Sequence, residues 1–138
     1  QSRAVVIGGG AVGCEVAWHL TEKGKQVTVV EMLPQAAGDL FMANRDMLLE
    51  SLAREGVELL TSTTVTGLAP GQVHVSGPAG QRTLEAGAIV LAIGRRSENQ
   101  LYEALSQMVD EVHVVGDCLS PRKVKHAIWE SFKTARVI

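Results

Sequence analysis

The sequence predicts an α/β fold, a three-layer parallel sheet interrupted by an antiparallel β-meander crossover. Three observations lead there. Short runs rich in Val, Ile and Leu, at 4–7, 27–30 and 57–60, alternate with helix-length amphipathic segments. Two turn clusters, Ala69-Pro70-Gly71 and Gly77-Pro78-Ala79-Gly80, then bracket a short alternating stretch. A wholly apolar run at 88–93 finally returns the chain to a parallel-sheet texture and stops at Gly94.

Residues 4–7 are apolar throughout and end at glycine, as a strand buried on both faces does. A helix is expected over 11–23: Val12, Val16 and Leu20 recur at i, i+4 and i+8, Ala17 widens the stripe, and Gly24 suits a left-handed cap. The second strand, 27–30, ends at Glu31. The chain then loosens through Pro34 and Gly38 before an amphipathic segment at 43–55, whose buried stripe is Leu48, Leu49 and Leu52. Gly56 closes that helix, and 57–60 makes the third strand, so the order to this point is βαβαβ. Val73 and Val75 alternate with polar residues within 72–76, the pattern of an antiparallel meander. Residues 88–93 read as a central strand whose C-terminal end meets a ligand cleft. A weak helical signal over 95–111 precedes a final strand at 112–115, which runs into Gly116-Asp117. Ser120 and Pro121 fit an N-cap and first position of a terminal helix.

Within this frame Gly8, Gly10 and Gly13 satisfy GxGxxG in the turn Gly8-Gly9-Gly10-Ala11-Val12-Gly13. The first glycine permits a sharp turn, the second lets backbone approach a pyrophosphate, and the third lets helix and strand pack closely. The N–H groups and positive dipole end of the following helix bind anions without a cationic side chain. A purely connective glycine turn is the competing reading of the motif alone. Its context, a buried strand before and an amphipathic helix after, points to a Rossmann-like dinucleotide site. Glu31 lies 18 positions beyond Gly13, near the roughly 20 expected for the acidic residue that accepts hydrogen bonds from the adenine ribose. A carboxylate there repels a 2′-phosphate, and Met32, Leu33, Pro34 and Gln35 supply no cation to receive one, so NADH is expected over NADPH. The competing reading of Glu31 is a solvated strand-end residue.

Composition bounds the remaining classes. The 138 residues carry 46% hydrophobic, 20% charged and 4% aromatic side chains, enough for one domain with an aliphatic core. A net charge of −2 offers no broad basic field, and Arg95, Arg96, Arg122, Lys123 and Lys125 lack interleaved aromatics, so no nucleic-acid partner is expected. No apolar run reaches bilayer length, and no signal pattern opens the chain, so no membrane partner is expected. Cys14 and Cys118 form neither a CxxC pair nor an iron–sulfur set and point to a reducing, cytoplasmic setting. Cys14 is expected to pack beside the sheet. His19, His74, His113 and His126 show no metal spacing, and neither a catalytic residue nor a metal site is assigned. Trp18 and Trp129 read as packing residues. Arg95 and Arg96 either hold nucleotide phosphates or form a solvated basic turn. The chain opens on Gln1 with a strand almost at once, which suggests an excised piece of a longer protein.

Three segments in order, residues 5–15 with the glycine turn, Val90-Leu91-Ala92-Ile93-Gly94-Arg95-Arg96, and Val112-His113-Val114-Val115-Gly116-Asp117, resemble the pyridine nucleotide flavoprotein reductases with two dinucleotide-binding domains. The likeness spans nearly the whole chain and is strongest to the C-terminal region of the 2,4-dienoyl-CoA reductase, enoate reductase and NADH:flavin oxidoreductase group. It implies that residues 1–111 form an NAD(H)-binding domain inserted into an FAD domain, with 112–138 as the returning strand–helix segment. It further implies that Glu15 lies near the nicotinamide end, that Ala92, Ile93 and Gly94 line the nucleotide cleft, and that Gly116-Asp117 presents a carboxylate to the ribityl chain of FAD. A strand-end carboxylate suits polyol hydroxyls, although an ordinary strand-terminating turn is the competing reading.

In that family electrons pass from NADH to FAD and on through a 4Fe-4S cluster to FMN, where an activated carbon–carbon double bond is reduced. No second GxGxxG, iron–sulfur cysteines or barrel-like stretch occurs here, so FMN and 4Fe-4S would belong to the remainder of the flavoprotein, and the isolated chain is not expected to be active or to hold FAD well. The hydride chemistry belongs to the cofactors, and the protein positions them. The alternatives are a non-catalytic NAD-binding redox-sensing module, which has no evident need of Gly116-Asp117, and an interaction domain that uses only the fold.

Overall fold

The computed structural model describes residues 2–138. The chain forms two compact units that divide between Gly94 and Arg95. In the first, β1 (Arg3–Ile7), α1 (Ala11–Glu22), β2 (Gln26–Val30), α2 (Met42–Arg54) and β3 (Glu58–Leu60) lead into a meander of β4 (Thr64–Ala69), β5 (Gln72–Gly77) and β6 (Gly80–Glu85), and β7 (Ala88–Leu91) closes the unit. The parallel sheet has the order β3-β2-β1-β7, and the meander is a separate antiparallel sheet.

The period-two alternation of each strand builds the three layers. From β1, Ala4 and Val6 join Val27 and Val29 of β2 in a core shared with Cys14, Ala17, Leu48 and Leu52 of the helices. The intervening Val5 and Ile7 meet Val30 and the meander residues Val73, Val75 and Leu84 in a second core. The strands are apolar on both faces because helices cover one and the meander covers the other. Gly24 and Gly56 adopt φ of +72° and +74° after α1 and α2, as the left-handed caps required.

Two expectations in this unit change. The buried stripe of α1 is Gly13, Cys14 and Ala17, and Val12 is 65% exposed. Close helix–sheet packing selects small side chains, so the stripe keeps the expected Ala17 and the partly buried Leu20 but takes Gly13 and Cys14 in place of Val12. The strand β7 pairs only with β1 and lies at the sheet edge among the described residues, since apolarity on both faces does not determine how many neighbours a strand has.

The second unit contains α3 (Gln100–Leu105), a 3₁₀ turn at Gly116–Cys118 and α4 (Val124–Ala135). Residues 112–115 do not form the expected strand: Val115 is extended, at φ −142° and ψ 161°, but no described strand pairs with the segment. Extended backbone becomes a strand only with a hydrogen-bonding neighbour. The terminal helix starts at Val124 with Lys123 as N-cap, not at Pro121, because the 3₁₀ turn and its following loop take up the intervening residues. Trp129, expected to pack, is 67% exposed, together with Ile128 and Phe132. No helix of the described residues is long and apolar enough to cross a membrane.

Candidate functional site

In the turn between β1 and α1, Gly8, Gly9 and Gly13 stand where a Cβ would collide with neighbouring atoms. Gly8 has φ +102°, and a Cβ there would lie 2.4 Å from the Ala92 carbonyl oxygen. Its N–H donates to the Val30 carbonyl at 2.8 Å, while Ala92 N–H donates to Ile7, so the turn is fixed to strands on either side. A Cβ at Gly13 would lie 1.9 Å from the Gly8 carbonyl oxygen. This is the close helix–strand approach that the third glycine permits. Gly10 differs: it is the N-cap of α1, and the one atom near its absent Cβ is a carboxylate oxygen of Asp39 at 3.7 Å. Its missing side chain leaves an open approach to backbone instead of relieving a packed contact.

Glu31 is brought directly against this turn. Gly9 N–H donates to Glu31 Oε2 at 2.6 Å, and Leu33 N–H donates to Oε1 at 2.8 Å. A Cβ at Gly9 would be 2.8 Å from Glu31 Cβ, so Gly9 provides the space that the carboxylate occupies. With the residue only 8% exposed, these two N–H bonds satisfy one lone pair on each oxygen and leave acceptor capacity for a ligand's hydroxyls. The solvated-residue reading of Glu31 is thereby replaced by a buried, oriented acceptor.

The first-turn N–H groups of α1 point out of the helix, at the positive end of its dipole. Asp39, which the motif does not reveal, reaches this end: Ala11 N–H donates to its Oδ1 at 2.9 Å. Asp39 stands 28 residues beyond Ala11 in the chain, so nothing local in the sequence points it to α1. Behind the turn, the Cys14 thiol is fully buried and donates to the Gly9 carbonyl at 3.4 Å. Burial, reinforced by the Asp39 charge, pushes it up to about 11, which makes it a packing group and not a nucleophile.

The structure therefore brings Gly8, Gly9, Gly10, Ala11, Gly13, Glu31 and Ala92 into one cluster. Val12 and Glu15 lie on exposed positions of α1, and Ile93 is 72% exposed beside Gly94, which adopts φ +93°. Gly116 and Asp117 belong to the second unit. There Gly116, at φ +68°, donates to Glu130 Oε2 at 2.9 Å. That bond, together with Arg122, holds the Glu130 carboxyl below its usual range. Asp117 accepts from Arg95 at 3.1 Å and from the Arg122 N–H at 3.3 Å, which places Arg95 in an ion pair inside this unit. No group of three or more metal-ligating side chains occurs among the described residues.

Residues 1–131 match the family described as pyridine nucleotide-disulphide oxidoreductase. The chain belongs to that family. It is 37% identical over 137 residues to an NADH oxidase of Thermoanaerobacter brockii, covering 98% of this chain and 21% of the oxidase. It is 30% identical over 139 residues to a cinnamate reductase of Clostridium sporogenes, covering 99% of this chain and 21% of that protein. Among solved structures, a 2-naphthoyl-CoA reductase in complex with 2-naphthoyl-CoA aligns with a TM-score of 0.84 at 28% identity, covering 96% of this chain and 20% of the reductase. The chain thus spans about a fifth of the length of these relatives, and the three-layer Rossmann-like architecture is shared.

Proposed function

We propose that this chain is the NADH-binding portion of a flavin-dependent oxidoreductase that reduces an activated carbon–carbon double bond of the enoate or enoyl-CoA type. The observation that carries the nucleotide reading is the buried Glu31 carboxylate, held by the Gly9 and Leu33 N–H groups beside an open glycine turn. In this reading Glu31 accepts the adenine-ribose hydroxyls, and the backbone of Gly10, Ala11, Val12 and Gly13 receives the pyrophosphate at the positive end of α1. Glu15 and the Ala92-Ile93-Gly94 corner border the nicotinamide side.

Residues 1–111 would be the NAD(H) domain, and 112–138 the returning segment of a split FAD domain whose remaining strands pair with 112–115. Asp117 would turn its carboxylate to the flavin's ribityl chain, and Arg95 and the Arg122 N–H orient it. The bound cofactors supply the chemistry, a hydride moving from nicotinamide C4 to flavin N5, and FMN and a 4Fe-4S cluster would lie in the remainder of the full protein. Names of relatives that act on cinnamate and carry 2-naphthoyl-CoA support the unsaturated substrate class. Membership in an oxidoreductase family favours this over the sensing-module reading, and the two reduced thiols favour a cytoplasmic setting.

The test is calorimetric titration of NADH and NADPH into the 138-residue chain. The expected result is tighter binding of NADH by about tenfold or more, because a 2′-phosphate would meet the Glu31 carboxylate. Equal or tighter NADPH binding would overturn the assignment.

A further inference from the structure

The loop between β2 and α2 is fastened onto the glycine turn. Ala37 N–H donates to the Gly9 carbonyl at 2.6 Å, and Ala37 is fully buried at φ +50°. A non-glycine residue takes that left-handed conformation only where surrounding contacts enforce it. Ala36 is buried alongside, and Leu40 N–H closes back on the Ala37 carbonyl at 3.1 Å. Between these anchored residues Asp39 stays exposed and puts Oδ1 on the Ala11 N–H, on the side of the turn that Gly10 leaves open.

We infer that Asp39 is a built-in competitor for the dinucleotide pyrophosphate, an internal anion that occupies the start of α1 until the nucleotide displaces it. The inference rests on the nucleotide reading of this turn. Its physical basis is that two anions cannot share one helix N-terminus without repulsion. The bond to Ala11 N–H and the favourable dipole that hold the carboxylate are the same interactions a pyrophosphate oxygen would use. While Asp39 is in place it satisfies a donor that would otherwise need water. Each binding event must break that contact, which lowers affinity and favours release of the spent nucleotide. The anchored Ala37 holds the loop backbone against the turn, so that only the Asp39 side chain needs to turn away.

The test compares the wild-type chain with Asp39→Asn, which keeps the shape and an acceptor oxygen but no charge, and with Asp39→Ala, which removes both. NADH and ADP-ribose are titrated calorimetrically into each, and the midpoint of thermal unfolding is measured without ligand. The expected result is binding of both ligands about fivefold tighter in the two variants, together with a lower unfolding midpoint in their absence. Unchanged or weaker binding by folded variants would overturn the inference, because a residue that merely shapes the turn would lose affinity when replaced. That outcome leaves the nucleotide reading intact. Absence of binding by all three proteins would overturn the reading and the inference together.

Discussion

Two turns in this chain share a local plan, an apolar stretch running into glycine with a carboxylate at hand, yet they are held in different ways. At Gly8–Gly13 the backbone is fixed by neighbouring strands through Val30 and Ala92, and α1 buries Gly13, Cys14 and Ala17 against the sheet. At Gly116 the incoming residues 112–115 have no paired strand among the described residues, α4 buries no residue, and the turn is held by local bonds: Gly116 N–H to the Glu130 carboxylate, Arg122 N–H to Asp117, and Leu119 and Ser120 N–H to the Gly116 carbonyl. The difference shows that a glycine–acid turn becomes a stiff site through the layers around it. Packing between covered sheet faces resists displacement, whereas the Arg95–Asp117 ion pair beside Gly116, with both side chains more than half exposed, contributes little.

Substitution of the glycines tests this contrast most severely. In Gly13→Ala the new Cβ would stand 1.9 Å from the Gly8 carbonyl oxygen and 3.2 Å from Ala92 Cβ, with backbone on one side and a packed sheet residue on the other. Neither can rotate away, so α1 must lift from the sheet. We expect a loss of about 3 kcal/mol or more in denaturant unfolding and loss of detectable NADH binding. A folded Gly13→Ala variant with wild-type stability would show that the helix–sheet contact is looser than the layers imply.

Gly116→Ala should do less. The new Cβ would meet Ala127 Cβ at 3.2 Å, a contact that α4, with no buried residue to hold it, can relieve by a small shift. The remaining penalty is that of an alanine at φ +68°, about 1–2 kcal/mol. Amide hydrogen exchange should speed up within residues 95–138 and stay unchanged at β1 and β2. Faster exchange across the parallel sheet would mean that the two units do not respond separately.

The same contrast separates what local sequence encodes from what only the packed layers decide. The strands of the parallel sheet were legible because runs such as Val5-Val6-Ile7 and Val27-Thr28-Val29-Val30 have few ways to bury both faces, and Gly24 and Gly56 mark helix ends through a conformation that disfavours a Cβ. What failed was non-local. The expected stripe on α1 holds at Ala17 and Leu20 but not at the large Val12, where the close approach to the sheet buries Gly13 and Cys14 instead. The pairing of 88–91 and 112–115 depends on neighbours that lie far away in sequence. The candidate site divides along the same line: spacing to the glycines singles out Glu31 but does not reveal its grip on Gly9 N–H, and Asp39 reaches α1 from 28 residues away.

The buried thiol offers the finest probe of the first turn, because its titration reports how dry the space behind the glycines is. Cys14 is raised from an ordinary 9.0 to about 11 by burial, with the Asp39 charge adding to it. Between those values the unfolded chain has lost its thiol proton while the folded chain keeps it. The stabilising contribution is therefore complete below pH 9, falls as pH rises, and levels off above about 11. Other groups titrate in the same range, so the useful quantity is the difference from Cys14→Ala. Between about pH 8 and pH 10 the wild type should lose about 1 kcal/mol more than that variant in denaturant unfolding. Thiol labelling supplies the matching contrast with the second unit. Cys118, half-buried with its thiol donating to the Glu98 carbonyl at 3.0 Å, should react in the folded protein, whereas Cys14 should react only as fast as the first unit opens. Equal labelling rates for the two cysteines would mean that the layers do not seal the glycine turn from behind, and the contrast between the two turns would lose its physical basis.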